Sequence, residues 1–238
     1  MDKAIWATWY DLPTEGRDAH IEWVHNTYIP AMTKRPGILY GTHYASAHVP
    51  PRSRLKHTDD QVVAKAGTDF VLLFGGETAH AFSNPGPHKY NAGLLPEDRE
   101  MLAMRIGERT SIFLEVARVN GLATQKNGGE LLPGPCIQIG SFGSGVADDG
   151  EILEFYTQVR MPEMETVPGC IRMRKLIAAT GWARNGCLYE FDSLDGHKNM
   201  ASRTQSASGK AWTDDLIPKL KHAPGTPIVA NRIWPPLN

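Results

Sequence analysis

The sequence has few cysteines, no long apolar run and almost no charge imbalance. Its three cysteines, Cys136, Cys170 and Cys187, form no C-x-x-C pair, so reduced and buried thiols are the expected state. No apolar run approaches the ~20 residues that are needed to cross a bilayer. The formal net charge is −1 and there is no basic block, which gives no support for binding to nucleic acid or to an anionic membrane.

Targeting and cofactor-binding signatures are missing as well. Met1 to Trp6 do not begin the long apolar core of a signal peptide, so a cytoplasmic location is expected. The GxGxxG, GxxxxGK[ST], HExxH and GxSxG patterns do not occur. Histidines and carboxylates show no spacing that predicts a metal site. We therefore expect neither a metal nor a cofactor.

What the sequence does contain is an internal repeat with an offset of 132 residues, the distance from Pro30 to Pro162. At the same offset Pro36-Gly37 corresponds to Pro168-Gly169, and no gap is needed. A proline followed six residues later by Pro-Gly, twice at one offset, predicts two copies of one module. Residues shared by both copies are expected to serve the fold, whereas residues present in one copy only are candidates for function.

Each copy is predicted to have the element order β-α-β-β-α-β. In the first copy we expect strands at 3–10, 37–47, 69–74 and 110–119, and helices at 17–34 and 96–107. In the second copy we expect strands at 136–142, 169–179, 185–191 and 228–234, and helices within 148–167, 196–202 and 210–221. Residues 1–120 and 135–238 are thus predicted to be the two copies, and 121–134 the linker.

This element order predicts an α+β fold made of two tandem ferredoxin-like repeats. Each repeat forms a four-stranded antiparallel sheet with both helices on one face. The other face must be covered, and the second repeat is the obvious cover. Two such sheets packed as a closed barrel leave few exposed strand edges, so we expect one barrel within a single chain.

One segment adds a family resemblance. Trp23-Val-His25-Asn-Thr-Tyr28-Ile-Pro30, followed by Pro36-Gly37-Ile-Leu-Tyr40, resembles the EthD-like branch of the dimeric α+β barrel superfamily. That superfamily also includes antibiotic-biosynthesis-type monooxygenases, chlorite dismutase-like haem proteins and plant polyketide cyclases. The rest of the resemblance rests on element order and covers both copies apart from 48–68 and the linker. Thr157 stands where His25 does, which argues against an equivalent second site.

Acid–base side chains are concentrated in the first copy. Seven of the nine histidines and five of the seven tyrosines lie in residues 1–120. The corresponding positions of the second copy carry different side chains: Thr157 for His25, Arg160 for Tyr28, Arg172 for Tyr40 and Lys175 for His43. The simplest explanation is duplication followed by loss of one site, which makes the first copy the active one and the second copy a scaffold.

The predicted catalytic residues are His25, Tyr28, Tyr40 and His43. His25 and Tyr28 are three residues apart on the predicted helix and share a face. An imidazole serves as acid or base near neutrality, and a phenol or His43 would polarise a substrate oxygen. A purely structural role for His25, as a hydrogen-bonding group between helix and sheet, is an equal alternative.

Further residues are predicted to bind the substrate: Trp6, Tyr10, Trp23, Tyr44 and His80. Along the second strand Tyr40 and Tyr44 lie on one face, whereas His43 points to the opposite face. A row of phenols suits an aromatic or polyketide-like ligand, but it also suits an ordinary core. His80 aligns with His197 of the second copy, which points to a structural role.

Together these residues predict a cofactor-independent enzyme acting on a small aromatic or polyketide-like molecule. Lyase, cyclase or isomerase chemistry through a stabilised carbanion fits them best. The alternatives are a cofactor-free monooxygenase, a haem-binding protein of the same superfamily and a non-catalytic binding or accessory protein. The expected partner is the small-molecule substrate, with neither nucleic acid nor membrane, and a homodimer is compatible with the sequence.

Overall fold

A closed antiparallel barrel surrounded by short helices forms the centre of the structure. The structure is a computed structural model, and it describes residues 1–50, 55–59, 67–127, 132–202, 205–223 and 225–237. The first half of the chain, residues 4–120, contributes β1 (Ala4–Asp11), α1 (Arg17–Trp23), α2 (Ile29–Thr33), β2 (Ile38–Ser46), β3 (Lys56–His57), β4 (Phe70–Gly76), α3 (Pro87–Ala92), α4 (Pro96–Ala103) and β5 (Ile106–Asn120). The second half, residues 136–234, contributes β6 (Cys136–Gly143), α5 (Asp149–Phe155), α6 (Met161–Glu165), β7 (Cys170–Thr180), β8 (Asn185–Phe191), α7 (Leu194–Asn199), α8 (Ala207–Leu216), β9 (Lys221–His222) and β10 (Ile228–Trp234).

Eight of these strands close the barrel in the order β10-β2-β4-β1-β5-β7-β8-β6, with β6 pairing back to β10. The strands of the two halves follow the same order, β2-β4-β1-β5 and β7-β8-β6-β10. The halves meet where β5 pairs with β7 and where β10 pairs with β2. The predicted α+β fold and closed barrel are thus confirmed, whereas the ferredoxin-like nature of the repeats and their boundaries stay predictions.

The first helix of each half contains a π-helical turn immediately before a proline-containing segment. Val24–Tyr28 joins α1 to α2, and Tyr156–Arg160 joins α5 to α6. The Ile29 amide bonds to the Val24 carbonyl, five residues earlier, instead of four. Pro30 has no amide proton to bond to Asn26, so the wider turn is the distortion that this proline favours.

Three apolar clusters stabilise the fold. One fills the barrel interior, and one lies between each sheet and its helices. Alternation along β1 explains the division, because Ile5, Ala7 and Trp9 face the interior while Trp6 and Tyr10 face the helices. We call the helix-facing clusters the first layer, which contains Trp6, Tyr10, Tyr28, Phe70 and Phe74, and the second layer, which contains Phe142, Phe155, Tyr156, Met164 and Tyr189.

A buried ion cluster connects the halves at the β5–β7 junction. Arg174 lies 2.7 Å from the Asp2 carboxylate and 2.6 Å from the Glu115 carboxylate, and Arg118 lies 3.0 Å from Asp2. Burial raises the pKa of Asp2, but Arg174, Tyr40 and Arg118 together lower it below its usual value. The charges of the cluster offset one another, so removing one member leaves its partners buried and uncompensated.

Several details differ from the sequence predictions. No helix is predicted between the strand at 69–74 and the helix at 96–107, yet Pro87 begins α3, because proline is tolerated at the first position of a helix. The predicted helix at 96–107 ends at Ala103, since β5 begins at Ile106. In the predicted 48–68 connection, residues 51–54 and 60–66 lie outside the described ranges. None of the helices placed by the structure is both long and apolar enough to cross a membrane.

Candidate active site

Three side chains of the first half form a hydrogen-bonded chain that runs from the core towards the surface. The Tyr10 hydroxyl lies 2.9 Å from Nε2 of His43, and Nδ1 of His43 lies 2.9 Å from Nε2 of His25. Tyr10 and His43 are fully buried, whereas His25 is partly exposed. We call Tyr10, His43 and His25 the relay.

The strands and the π-helical turn place these side chains within reach of one another. Tyr10 on β1 and His43 on β2 flank the intervening strand β4, and the Phe70 ring of β4 packs against both, with centroid distances of 5.6 Å and 5.4 Å. The turn Val24–Tyr28 brings His25 over His43. The Trp234 ring of β10 stacks on His25 at 4.8 Å and 16°, so the second half completes the rim of the site.

The direction of the hydrogen bonds follows from the donors available. A proton on Nε2 of His43, pointing at Tyr10, would leave the Tyr10 hydroxyl proton with no acceptor among the residues described. An unmet donor in a buried position costs about 1–3 kcal/mol. Tyr10 therefore donates to Nε2 of His43, and Nδ1–H of His43 donates to Nε2 of His25. His25 then carries its own proton on Nδ1.

Burial keeps the relay uncharged at neutral pH. The pKa of His43 lies well below its ordinary value, because burial penalises the charged ring and because His25, Arg105 and His20 add repulsion. Burial also lowers the pKa of His25 and raises the pKa of Tyr10 to about 12. The partly exposed end of the relay is thus a neutral N–H donor, suited to hydrogen-bonding a substrate oxygen.

A buried arginine lies beside the inner end of the relay. The guanidinium carbon of Arg105 is 4.5 Å from the Tyr10 ring centroid and 5.3 Å from that of Tyr28. Glu108 lies 3.5 Å from Nη1, but Nε and Nη2 have no hydrogen-bond partner within the described ranges. The charge of Arg105 opposes the rise that burial causes in the Tyr10 pKa. Negative charge that reaches Tyr10 would therefore lie next to a cation.

Tyr28 and Trp23 lie close to the relay but use their polar atoms elsewhere. The Tyr28 hydroxyl donates to Oδ1 of Asn91 on α3 at 2.8 Å, and Nε1 of Trp23 donates to Oδ1 of Asp98 on α4 at 2.7 Å. Their rings contact each other with centroids 5.2 Å apart. These bonds attach the first helix to α3 and α4 and so hold the turn that carries His25.

Four of the predicted site residues lie away from His25. Tyr40 and Tyr44 turn away from the first layer: the Tyr40 hydroxyl donates to Asp2 at 2.8 Å, and the Tyr44 hydroxyl donates to the Gly134 carbonyl at 3.0 Å. Trp6 is a buried core residue whose indole donates to Thr8. His80 is exposed in the 3-10 turn Ala79–Phe82. The structure therefore brings together His25, His43, Tyr28, Tyr10 and Trp23 from the predicted set.

Sequence reasoning missed Arg105 and Trp234. Arg105 precedes β5 in a stretch rich in charge, where an exposed side chain is the ordinary expectation. Trp234 lies in the second half and reaches His25 only because β10 pairs with β2. Neither residue carries a local signal, because both contacts depend on strand pairing between distant segments.

The second layer has a different inventory at the corresponding positions. Phe142 replaces Tyr10, and Lys175 replaces His43, with its Nζ donating to Oδ1 of Asn185 at 2.6 Å. Thr157 replaces His25 and donates to the carbonyl of its own helix at Leu153. Within the described ranges no relay forms there. A partly open cavity of about 60 Å³ lies in this layer instead.

Comparison with known proteins identifies the fold of this chain. No family model matches the sequence, and no curated protein matches it. Among solved structures, an anthrone oxidase-like protein superimposes with a TM-score of 0.65 at 12% identity, covering 98% of this chain and 91% of that one. A monooxygenase-like protein from Fusobacterium nucleatum subsp. nucleatum gives a TM-score of 0.57 at 9% identity, covering 97% and 93%.

A chlorite dismutase from Candidatus Nitrospira defluvii, solved as a point mutant, gives a TM-score of 0.52 at 9% identity, covering 97% of this chain and 91% of that one. These neighbours are dimeric α+β barrel proteins, and this chain has the same fold. At such identities the likeness extends to the fold alone, so the EthD-like assignment stays a prediction.

Proposed function

We propose that the protein is a cofactor-independent enzyme that acts on a small aromatic molecule bearing a carbonyl or phenol oxygen. The observation that carries this proposal is the hydrogen-bonded chain from buried Tyr10 through His43 to partly exposed His25. The corresponding positions of the second half carry Phe142, Lys175 and Thr157. A polar chain of this kind is not needed to close the same barrel.

In this proposal Nδ1–H of His25 donates a hydrogen bond to the substrate oxygen. As the neighbouring C–H bond loses its proton to water, electron density moves onto that oxygen and the hydrogen bond strengthens. Complete proton transfer to the oxygen draws a proton from His43 to His25 and from Tyr10 to His43. The charge left on Tyr10 then lies beside the Arg105 guanidinium, 4.5 Å from the ring centroid.

The substrate approaches His25 from the rim of the site. The interior of the first layer is filled by side chains such as Trp6, Tyr28 and Phe74, each no more than 2% exposed. Trp234 is partly exposed and stacks on His25. Its flat apolar surface suits an aromatic substrate whose oxygen points at Nδ1 of His25.

Isomerase, lyase and cyclase reactions that pass through an enolate are suited to this geometry, and they form the leading candidate class. Oxygen chemistry without a cofactor is the second candidate, favoured by the likeness to the anthrone oxidase-like and monooxygenase-like structures. For an anthrone the balanced reaction is anthrone plus O2 giving anthraquinone plus water. Both candidates require the same first step, the loss of a proton from carbon.

Anaerobic exchange of the anthrone methylene hydrogens for deuterium, followed by proton NMR, measures that first step alone. We expect His25→Ala to slow the enzymatic exchange by about 10² or more, the effect of losing one oxyanion-stabilising donor. Thr157→Ala, at the corresponding position of the second half, is the matched control and should exchange at the wild-type rate. Equal rates for wild type and His25→Ala, across anthrone and related hydroxylated ketones, would contradict the proposal.

Oxygen uptake in air separates the two candidates. An oxygenase would consume one O2 per anthrone and form anthraquinone, and this consumption would depend on His25. An isomerase, lyase or cyclase would exchange the methylene hydrogens without consuming oxygen. Binding of the ketone with neither exchange nor uptake would instead support the non-catalytic alternative.

Neither of the two helix-facing layers fits the haem alternative. In the first layer the facing nitrogens of His25 and His43 bond to each other, and aromatic rings fill the space. In the second layer the cavity of about 60 Å³ is far below the 300–1,000 Å³ of typical cofactor and ligand pockets. As a separate point, the described ranges contain no group of three or more histidine, cysteine, aspartate or glutamate residues that could hold a metal ion without a porphyrin.

The two halves, in our proposal, are tandem ferredoxin-like copies of one ancestral unit, of which the first kept the reactive site. Their π-helical turns begin at Val24 and Tyr156, an offset of 132 residues. Gly37 and Gly169, at the same offset, both have a positive φ, of 78° and 85°. These coincidences support a common origin beyond the shared strand order.

A further inference from the structure

The second layer contains a cavity that the proposed reaction does not use. It lies between strands β6 and β8, the turn Tyr156–Arg160 and the end of β9, and it is partly open. Its volume is about 60 Å³. The chemically distinctive lining residues are Phe142, Tyr156, Arg160, Cys187, Tyr189 and His222.

Arg160 supplies a buried positive charge to this cavity. The residue is only 4% exposed, and its Nε has no hydrogen-bond partner within the described ranges. The nearest carboxylate oxygen recorded for it, on Glu163, is 3.9 Å from Nε, beyond hydrogen-bonding distance. The other oxygen of Glu163 accepts a hydrogen bond from Gln205 at 3.0 Å. A buried guanidinium N–H without an acceptor is costly, and an anion in the cavity would satisfy it.

His222 supplies a neutral acceptor to the same cavity. Its Nδ1 lies 3.3 Å from the Lys56 carbonyl, so Nδ1 carries the proton and donates to that oxygen. Burial lowers the pKa of His222 to about 4, which keeps the ring uncharged at neutral pH. Nε2 is then a hydrogen-bond acceptor. It does not compete with Arg160 for an anion, but it can accept a hydrogen bond from a donor group that lies next to the anion.

The walls of the cavity are aromatic and its size limits what enters. The Phe142 and Tyr156 rings are stacked with centroids 6.0 Å apart and an interplanar angle of 16°. An engineered cavity that binds benzene measures about 150 Å³, so a whole aromatic ring exceeds this space. A carboxylate group fits, with the remainder of its molecule extending through the open side.

We propose that this cavity binds the carboxylate end of a small organic acid, with Arg160 as the charge partner of the carboxylate. A hydroxyl next to the carboxylate would donate to Nε2 of His222. The proposal is independent of the relay, because it rests on residues of the second layer alone. It gives the second half a binding role where the sequence predicted a scaffold.

Calorimetric titration of the full-length protein with benzoate tests the charge requirement, and benzamide is the uncharged probe of the same shape. We expect benzoate to bind with a Kd on the order of 1–10 mM at low salt, and benzamide at least about tenfold more weakly. Arg160→Met should reduce benzoate binding about tenfold or more. Arg184→Met, which removes an arginine that is exposed and paired with Asp149 at 2.9 Å, is the matched control and should bind as wild type does.

Circular dichroism establishes that each variant is folded before titration. If Arg160→Met does not fold, Arg160→Lys replaces it, and we expect weaker benzoate binding because an ammonium lacks the planar fork of donors. Equal binding of benzoate and benzamide, or benzoate binding that survives loss of the Arg160 guanidinium, would overturn the proposal. Absence of benzoate binding to the wild-type protein at about 50 mM would overturn it as well, since that concentration exceeds the expected Kd.

Discussion

The first and second layers share one order of strands and helices but bury side chains of different chemical types. In the first layer aromatic rings fill the space up to the relay. In the second layer Phe142, Lys175 and Thr157 take the places of the relay residues, and a cavity remains beside Arg160. The barrel therefore tolerates either a polar chain or a void at the same place. In our proposal the reactive chemistry belongs to side chains that the fold positions but does not dictate.

Both layers also bury a cation against aromatic faces. Arg105 lies over Tyr10 and Tyr28, and Nζ of Lys175 lies 5.5 Å and 5.4 Å from the ring centroids of Phe142 and Tyr156. Ring faces offset part of the cost of burying a charge. The difference is that Lys175 also donates to Asn185 and to the Leu176 carbonyl, whereas Arg105 keeps two nitrogens without partners in the described ranges. Of these two cations, Arg105 rather than Lys175 is thus the one with donors left for the transient negative charge of our proposal.

The largest expected difference between the layers is in packing. Phe74 is 1% exposed and contacts Trp6 and Tyr28, with centroids at 5.6 Å and 6.0 Å. Phe74→Ala should lower the free energy of unfolding by about 3–5 kcal/mol, measured by urea denaturation. Phe142→Ala should lower the free energy of unfolding by about 1 kcal/mol less than Phe74→Ala does. One side of Phe142 already faces a cavity, so this ring has fewer contacts to lose.

Leu114→Ala is the control for both packing variants. Leu114 is 42% exposed, so its removal should change the free energy of unfolding by no more than about 0.5 kcal/mol. An equal loss for Phe74→Ala and Phe142→Ala would remove the packing difference on which the comparison depends.

Acid should destabilise both layers, and the first layer more than the second, because burial also lowers the pKa of His43 and of His25 in the first layer. Burial lowers the pKa of His20 in the first layer and of His222 in the second layer to about 4, against an ordinary value of 6.5. The unfolded chain therefore binds protons below pH 6.5 that the folded chain binds only near pH 4, and stability falls as pH falls through this window. Each histidine should account for roughly 2 kcal/mol of the loss.

Urea denaturation at pH 7 and pH 4.5 measures this effect. His20→Phe and His222→Phe should each reduce the difference between the two pH values, and the double variant should reduce it further. A wild-type unfolding free energy that does not change across this range would show that the two rings are not held neutral by burial.

The smallest expected effect concerns the charge of Arg105. Burial is the main cause of the lowered pKa of His20, and the charge of Arg105 is the second cause. Removing the charge of Arg105 should therefore raise the His20 pKa from about 4 by about one unit. NMR titration of the histidine ring protons in Arg105→Met measures the change. Arg99→Met, on the exposed side of α4, should leave the His20 pKa where it was. A His20 pKa that falls or stays constant in Arg105→Met would contradict the charge effect.

Local sequence signals predicted the closed barrel and named five of the seven residues described at the candidate site. Pro36-Gly37 set the end of the first helix within one residue, and strand alternation separated His43 from Tyr44. The relay itself was not predictable, because Tyr10 and His43 lie on strands that β4 separates and their contact depends on register. The cavity was not predictable either, since it depends on how a dozen side chains divide a small volume.

Strand β10 pairs with both β2 and β6, and it carries the Trp234 ring that covers His25. During translation, Tyr10, His25 and His43 leave the ribosome long before this strand does. In the nascent first half His25 is therefore not yet covered by Trp234. The edge of β2 stays unpaired until β10 has been synthesised. Covering of His25 by Trp234 and closure of the barrel are therefore one late event in biosynthesis.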